Sequence, residues 1–231
     1  MVSFKLLANL LLGLAVASAE CRAKCPSGAH IIAVRGSLEP QGPGKIGKIA
    51  NKIAERIPDS DIEALVYPAL YEPDYVESQT EGVTAMTKLV NNYVKKCPNT
   101  KIVILGYSQG AHVTMDVMCG ASSKGFPSTM PQPDYIAKQV AAIILLGDPS
   151  LVEGQPFHVG SSKGNGVLPR LRPEGCQAIV RKTVSICDAG DPFCEAGSKD
   201  LDVHMGYVPV YMDYAVERTL ELFNKRFQSD W

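Results

Sequence analysis

The chain has 231 residues, 45% of them hydrophobic and 20% charged, enough for one well-filled domain and too few for two of ordinary size. Its formal net charge is −1. The charges are scattered, so neither a basic nucleic-acid surface nor an acidic disordered tail is expected.

Met1 to Lys5 is a short basic start, Leu6 to Val16 is apolar apart from Asn9, and Ala17-Ser18-Ala19 puts small residues where a signal peptidase reads. The apolar run is too short to cross a bilayer. Residues 1–19 are therefore expected to be a signal peptide cleaved after Ala19, leaving residues 20–231 as a single secreted domain without a membrane helix. Seven cysteines suit an oxidising compartment: Cys21, Cys25, Cys97, Cys119, Cys176, Cys187 and Cys194. Neither Cys21-x3-Cys25 nor Cys187-x6-Cys194 has zinc or redox spacing, so no metal is expected, and the odd number leaves one thiol over. There is no N-x-S/T acceptor for N-glycosylation.

His30 to Val34 reads as a first strand, ending at Arg35-Gly36-Ser37-Leu38-Glu39. Ile46, Ile49, Ile53 and Ile57 recur at helical spacing up to Pro58, and Ile62 to Val66 is a second strand. A loop carries Tyr71, Pro73 and Tyr75, followed by a helix marked by Val83, Met86, Leu89, Val90, Tyr93 and Val94. Ile102 to Leu105 is a continuous apolar run, as expected of a strand covered on both faces. Gly106-Tyr107-Ser108-Gln109-Gly110 follows, and then Ala111, Met115 and Met118 at helical spacing. Strand, sharp turn and helix are the setting that the G-x-S-x-G nucleophile elbow requires. Glycines on either side of the serine let the flanking backbones pass closely, and the helix aims free N–H groups where an oxyanion would form.

A loop from about Gly120 to Pro133 leads to a fourth strand, Val140 to Leu146, ended by Gly147-Asp148-Pro149. Gln155 to Cys176 shows no period and reads as loop; Thr183 to Ile186 is a short fifth strand before Cys187-Asp-Ala-Gly-Asp191-Pro-Phe-Cys194. The last helix is expected from about Val210 to Phe227. Strands alternating with helices predict an α/β fold, a three-layer sandwich around a mainly parallel, five-stranded sheet. Ser37, Ser108, Asp148 and Asp191 would then all lie beyond the carboxyl ends of its strands, where such sheets carry their sites.

A serine hydroxyl needs a base to take its proton and a carboxylate to orient that base. His204, in the loop expected before the last helix, is preferred to His158 because a carboxylate comes shortly before it. His112 is expected as a partly exposed helix residue one turn from Ser108, and His30 as a structural residue at a strand start. Asp148 and Asp191 are both candidates for the acid; Asp191 sits in a loop that Cys187 and Cys194 would close.

Four motifs now carry a resemblance: Arg35-Gly-Ser37, Cys97-Pro with Gly-Tyr-Ser108-Gln-Gly, Cys187-x3-Asp191-x2-Cys194, and His204 with Tyr207. In this order the chain resembles the cutinase and acetylxylan esterase family of secreted serine esterases, over nearly the whole mature length. The resemblance implies an α/β-hydrolase fold without a large lid, Ser108 as nucleophile, Asp191 as acid and His204 as base. It implies an oxyanion hole from the N–H groups of Gln109 and Ser37, helped by the Ser37 hydroxyl, and bridges Cys25–Cys97, Cys119–Cys176 and Cys187–Cys194, with Cys21 left over. No cofactor is implied, and the partner is an ester substrate of a monomeric enzyme: a cutin-like polyester, another acyl ester or acetylated xylan. Arg35-Gly-Ser-Leu-Glu39 is similar to the cutinase form; Gly147-Asp-Pro149, Asp191-Pro-Phe-Cys194 and the third bridge are similar to acetylxylan esterases. Leu201, Val203, Met205 and Val208, facing Leu70, Tyr71 and Tyr75, would form apolar walls suited to acyl chains. The intact triad argues against a non-catalytic host-interaction protein on this scaffold, and the lack of a long amphipathic insertion argues against a lidded lipase.

Overall fold

The computed structural model describes residues 25–225. The expected signal peptide, Cys21 and the end of the last expected helix lie outside the described residues.

Six strands form one sheet: β1 (Ala29–Val34), β2 (Asp61–Ala64), β3 (Lys101–Tyr107), β4 (Val140–Leu146), β5 (His158–Val159) and β6 (Thr183–Ile186). Their order is β2-β1-β3-β4-β6-β5, and every neighbouring pair is parallel. Five of the strands were expected and β5 was not. It is only two residues long, held to β6 by the N–H groups of Ser185 and Cys187 donating to Phe157 O and Val159 O, each at 2.9 Å. Backbone capture of this kind needs no apolar run.

The helices are α1 (Gly47–Arg56), α2 (Tyr75–Lys96), α3 (Gln109–Cys119), α4 (Asp134–Gln139) and α5 (Leu201–Asn224). Because strand side chains alternate, the central strands feed two cores. Ile32, Val34, Ile102, Ile104, Ile143 and Leu145 pack with Val83, Met86 and Val90 of α2 and Met115 of α3. Ile31, Ala33, Val103, Leu105, Ile144 and Leu146 pack on the other face with Ile49 and Ile53 of α1 and Ala215 and Leu222 of α5. Both faces are covered, which explains why β3 and β4 read as unbroken apolar runs.

The bridges Cys25–Cys97, Cys119–Cys176 and Cys187–Cys194 are all formed. The first closes a separation of 72 residues, and on a chain-entropy account such a bridge contributes about 4 kcal/mol. On β1, next to the edge strand, His30 is buried, stacked on Tyr93 with ring centroids 3.6 Å apart. Its Nδ1 lies 2.7 Å from Asp61 and its Nε2 3.3 Å from Glu63, both acids on β2. His30 is thus structural, as expected. Tyr75 begins α2 rather than lying in the preceding loop.

Candidate active site

Ser108 stands between the end of β3 and the start of α3, with φ 54° and ψ −119°. This is the left-handed, sharply turned backbone of an elbow, and the packing explains why it is held. A Cβ on Gly110 would come within 2.1 Å of Val34 O, and one on Gly106 within 2.8 Å of the Ala111 Cα. The two glycines let the elbow press against the ends of β1 and α3; a residue with a Cβ would push them apart.

His204 Nε2 lies 3.0 Å from Ser108 Oγ, and His204 Nδ1 lies 2.8 Å from Asp191 Oδ2. The second carboxylate oxygen of Asp191 accepts from the N–H groups of Phe193 at 2.7 Å and Cys194 at 3.2 Å. Burial opposes ionisation of Asp191, but the hydrogen bond and charge of His204, together with these two N–H groups, outweigh it and hold the carboxyl below its ordinary pKa. The Cys187–Cys194 bridge closes the loop around Asp191, and Glu195 ties that loop down by accepting from Gly190 N–H and the Ser198 hydroxyl. These contacts, with Lys163 N–H, lower the Glu195 carboxyl to about 2.

His204 differs from expectation in one respect. It lies in the first turn of α5, not in a loop before the helix. Gly206 and Pro209 read as breakers, yet α5 runs through both, although the proline lacks the N–H that would have bonded Met205 O. Tyr107 OH donates to His204 O at 3.0 Å, and its ring stacks on the imidazole with centroids 5.3 Å apart. Phe193 covers the imidazole at 4.5 Å between centroids.

The other candidates fall elsewhere. His158 is in β5, 3.4 Å from Cys187 O. His112 is fully buried rather than partly exposed, packed between Tyr75 and Phe126 and 3.3 Å from Asp116 Oδ2. Three buried groups meet there, because Arg170 Nη1 donates to Asp116 Oδ1 at 2.8 Å. Asp148 is a strand-end cap whose Oδ1 accepts from both the N–H and the hydroxyl of Ser150, each at 2.8 Å. Complete burial pushes its carboxyl above the ordinary range. With a folded pKa above the unfolded value of about 3.9, its stability contribution is full below that value and is lost as pH rises through the folded pKa. Asp148→Asn, which keeps the acceptor and drops the charge, is expected to gain about 2–4 °C in melting temperature over the natural protein at pH 8 and little at pH 4. Melting curves at the two pH values check this.

The expected oxyanion donors lie on either side of the elbow. Gly36 N–H donates to Glu39 Oε2 and Leu38 N–H to Ala69 O, each at 2.7 Å. Between them, Ser37 N–H has no acceptor among the described residues, and neither has Gln109 N–H at the start of α3. A Cβ on Gly36 would lie 3.3 Å from Ser108 Cβ, so this loop runs directly against Ser108.

Gly147 is a participant that sequence reading passed over. A Cβ there would meet His204 Cε1 at 2.8 Å, His204 Nδ1 at 2.9 Å and Asp191 Oδ2 at 3.1 Å, and its φ is +62°. The signal in the sequence was a glycine immediately after a buried strand. Gly147→Ala is expected to lower kcat about 10²-fold by displacing the imidazole; steady-state rates per titrated active site check this.

The expected apolar walls divide into two groups. Leu201, Met205, Leu70 and Tyr71 are 53%, 47%, 44% and 40% exposed, and Leu38 joins them at 75%, whereas Val208 and Tyr75 pack inward. Among the described residues no helix is long and apolar enough to cross a membrane, and no cluster of side chains has metal-binding character.

A family model for cutinases matches residues 24–221. The chain is 34% identical to cutinase 11 of Verticillium dahliae over 82% of its own length, spanning 66% of that protein, just under two thirds. It is 31% identical to acetylxylan esterase 2 of Talaromyces purpureogenus over 92% of this chain and 95% of that one. Among solved structures, the catalytic core domain of acetyl xylan esterase from Trichoderma reesei superposes with a TM-score of 0.78 at 30% identity, covering 86% of this chain and all of that one.

Proposed function

This chain belongs to the cutinase family, and from that premise we propose that it is a secreted serine carboxylic-ester hydrolase acting without metal or cofactor. The observation that carries the reading is the unbroken line from Ser108 Oγ through His204 to Asp191, at 3.0 and 2.8 Å. Ser108 Oγ attacks the ester carbonyl carbon while its proton passes to His204 Nε2. The carbonyl oxygen becomes an oxyanion held by the N–H groups of Gln109 and Ser37. Collapse expels the alcohol, which takes the proton from His204, and leaves an acyl-enzyme. Water, deprotonated by the same imidazole, attacks the acyl carbon and releases the acid and free Ser108. Asp191 keeps Nδ1 of the imidazole protonated and stabilises the imidazolium without taking its proton.

The substrate we favour is an aliphatic acyl ester. Leu38 flanks Ser37, Met205 flanks His204, and Tyr71 packs edge-on to Phe193, which itself covers His204. Such an exposed apolar rim suits an acyl chain better than a polar one. A second reading, removal of acetyl groups from a carbohydrate, is favoured by the superposition on the acetyl xylan esterase core with a TM-score of 0.78 at 30% identity. Turnover on p-nitrophenyl esters from acetate to long chains separates them. A maximum in kcat/KM at butyrate or longer supports the aliphatic reading, and a sharp fall beyond acetate transfers the conclusion to the deacetylase. Processing after Ala19, read from the N-terminus of the exported protein, tests secretion.

A further inference from the structure

Neither oxyanion donor is bonded to the other, yet both are fastened to one segment, Leu65 to Tyr71. Arg35 lies against it, donating to Leu65 O at 3.3 Å, Tyr67 O at 2.6 Å and Pro68 O at 3.3 Å, while Tyr67 OH donates back to Arg35 O at 2.6 Å. Two residues beyond Tyr67, Ala69 O accepts from Leu38 N–H at 2.7 Å. These bonds hold the loop that carries Ser37. The next residue holds the other donor: Gln109 Nε2 donates to Leu70 O at 2.9 Å. Leu70 N–H in turn donates to Ser78 Oγ at 2.9 Å, and Ser78 Oγ donates to Gln109 Oε1 at 3.2 Å, which closes a ring of three hydrogen bonds. Gln109 is fully buried and Ser78 is 1% exposed, so the bond between them is shielded from competing water, while the bonds to Leu70 lie nearer the surface.

Resting on the esterase reading above, we propose that the Gln109 side chain is a positioning residue: with Ser78 and Leu70 it fixes where the Gln109 N–H points relative to the Ser37 N–H. The hole is thereby assembled by a strap shared between its two halves. The Gln109 side chain touches neither substrate nor the reacting atoms; its backbone N–H does the chemistry. A buried polar amide is otherwise an expensive choice for an interior position, and this role accounts for it. Leu70 and Tyr71, at 44% and 40% exposure, place the outer face of the same strap on the rim of the site, so acyl groups lean on the segment that sets the donors.

The test uses Gln109→Leu, which retains the backbone N–H and removes both side-chain bonds, and Ser78→Ala, which breaks the ring from a different helix. Each is assayed on p-nitrophenyl butyrate and with an alkyl trifluoromethyl ketone. In that adduct Ser108 Oγ bonds to the ketone carbon, its proton moves to His204 Nε2, and the ketone oxygen becomes an oxyanion in the hole. The expected result for Gln109→Leu is a fall in kcat of about 10–10²-fold, less than the 10²–10³ typical of deleting a donor outright. KM should change by less than about threefold, and ketone affinity should fall in step with kcat/KM. Ser78→Ala should show a smaller loss with the same split, and Ser78→Thr, which restores a hydroxyl, should recover most of it. Unchanged kcat per titrated active site in both variants, whatever their melting temperatures, would overturn the proposal while Ser108→Ala remains inactive. Activity persisting in Ser108→Ala would instead remove the esterase reading itself. If Gln109→Leu fails to fold, the Ser78 pair decides alone.

Discussion

Replacing Ser108 by alanine is expected to lower kcat on any ester by about 10⁴–10⁶-fold while leaving the melting temperature within about 2 °C. Among the described residues the hydroxyl makes one side-chain contact, with His204 at 3.0 Å, so its loss removes the proposed nucleophile and little else. Alanine has the same Cβ in the same place, and the φ of 54° is already accommodated with a β-carbon present. A thermal melt beside a rate measurement decides. Turnover reduced only tenfold would mean that some other group attacks the ester.

Asp191→Asn has the next largest expected effect, about 10⁴-fold in kcat, and the structure gives the reason. Oδ1 of Asp191 accepts from Phe193 N–H and Cys194 N–H, so an asparagine here must turn its oxygen toward those donors. Its NH₂ group then faces His204 Nδ1, where the carboxylate oxygen had stood at 2.8 Å. The imidazole is forced to carry its proton on Nε2 and can no longer accept one from Ser108. KM should hardly move. The stability consequence has a definite sign as well. The folded-state pKa of Asp191 is depressed, so its contribution is present above the unfolded value of about 3.9 and is lost as pH falls through the folded one. The variant's melting temperature should therefore lag most near pH 6 and approach that of the natural protein below pH 4. A lag that widens on acidification would contradict the geometry.

Ser108, His204 and Asp191, which the structure brings together, stand out in the sequence because each sits at an interruption of a pattern. Ser108 breaks a run of apolar residues between a strand and a helix, and Asp191 is enclosed by Cys187 and Cys194. His204 was identified, but its helix was not, because Gly206 and Pro209 signal termination locally and only tertiary packing overrides them. Burial of Tyr207 and Val208, with the bond from Tyr107 OH to His204 O, is invisible to any local rule. His112 was expected to be partly exposed for a related reason: Asp116, one turn on, is a neighbour at helical spacing, but Arg170, 54 residues beyond Asp116, which completes the buried group, leaves no local signal. β5 escaped because two residues carry no periodicity. The ring through Ser78, Leu70 and Gln109 joins positions 31 and 39 residues apart, distances at which spacing carries no information.

The borders of the sheet bear on how these molecules meet one another. A strand with a free side offers a template for a second copy. Here one outermost strand, β2, has four residues, with Asp61 and Glu63 about half exposed, and the opposite one, β5, has two. Two copies approaching through β2 would press four carboxylates together, and through β5 they would find almost no backbone to pair with. Crowding at neutral pH is therefore resisted by charge on one flank and by brevity on the other.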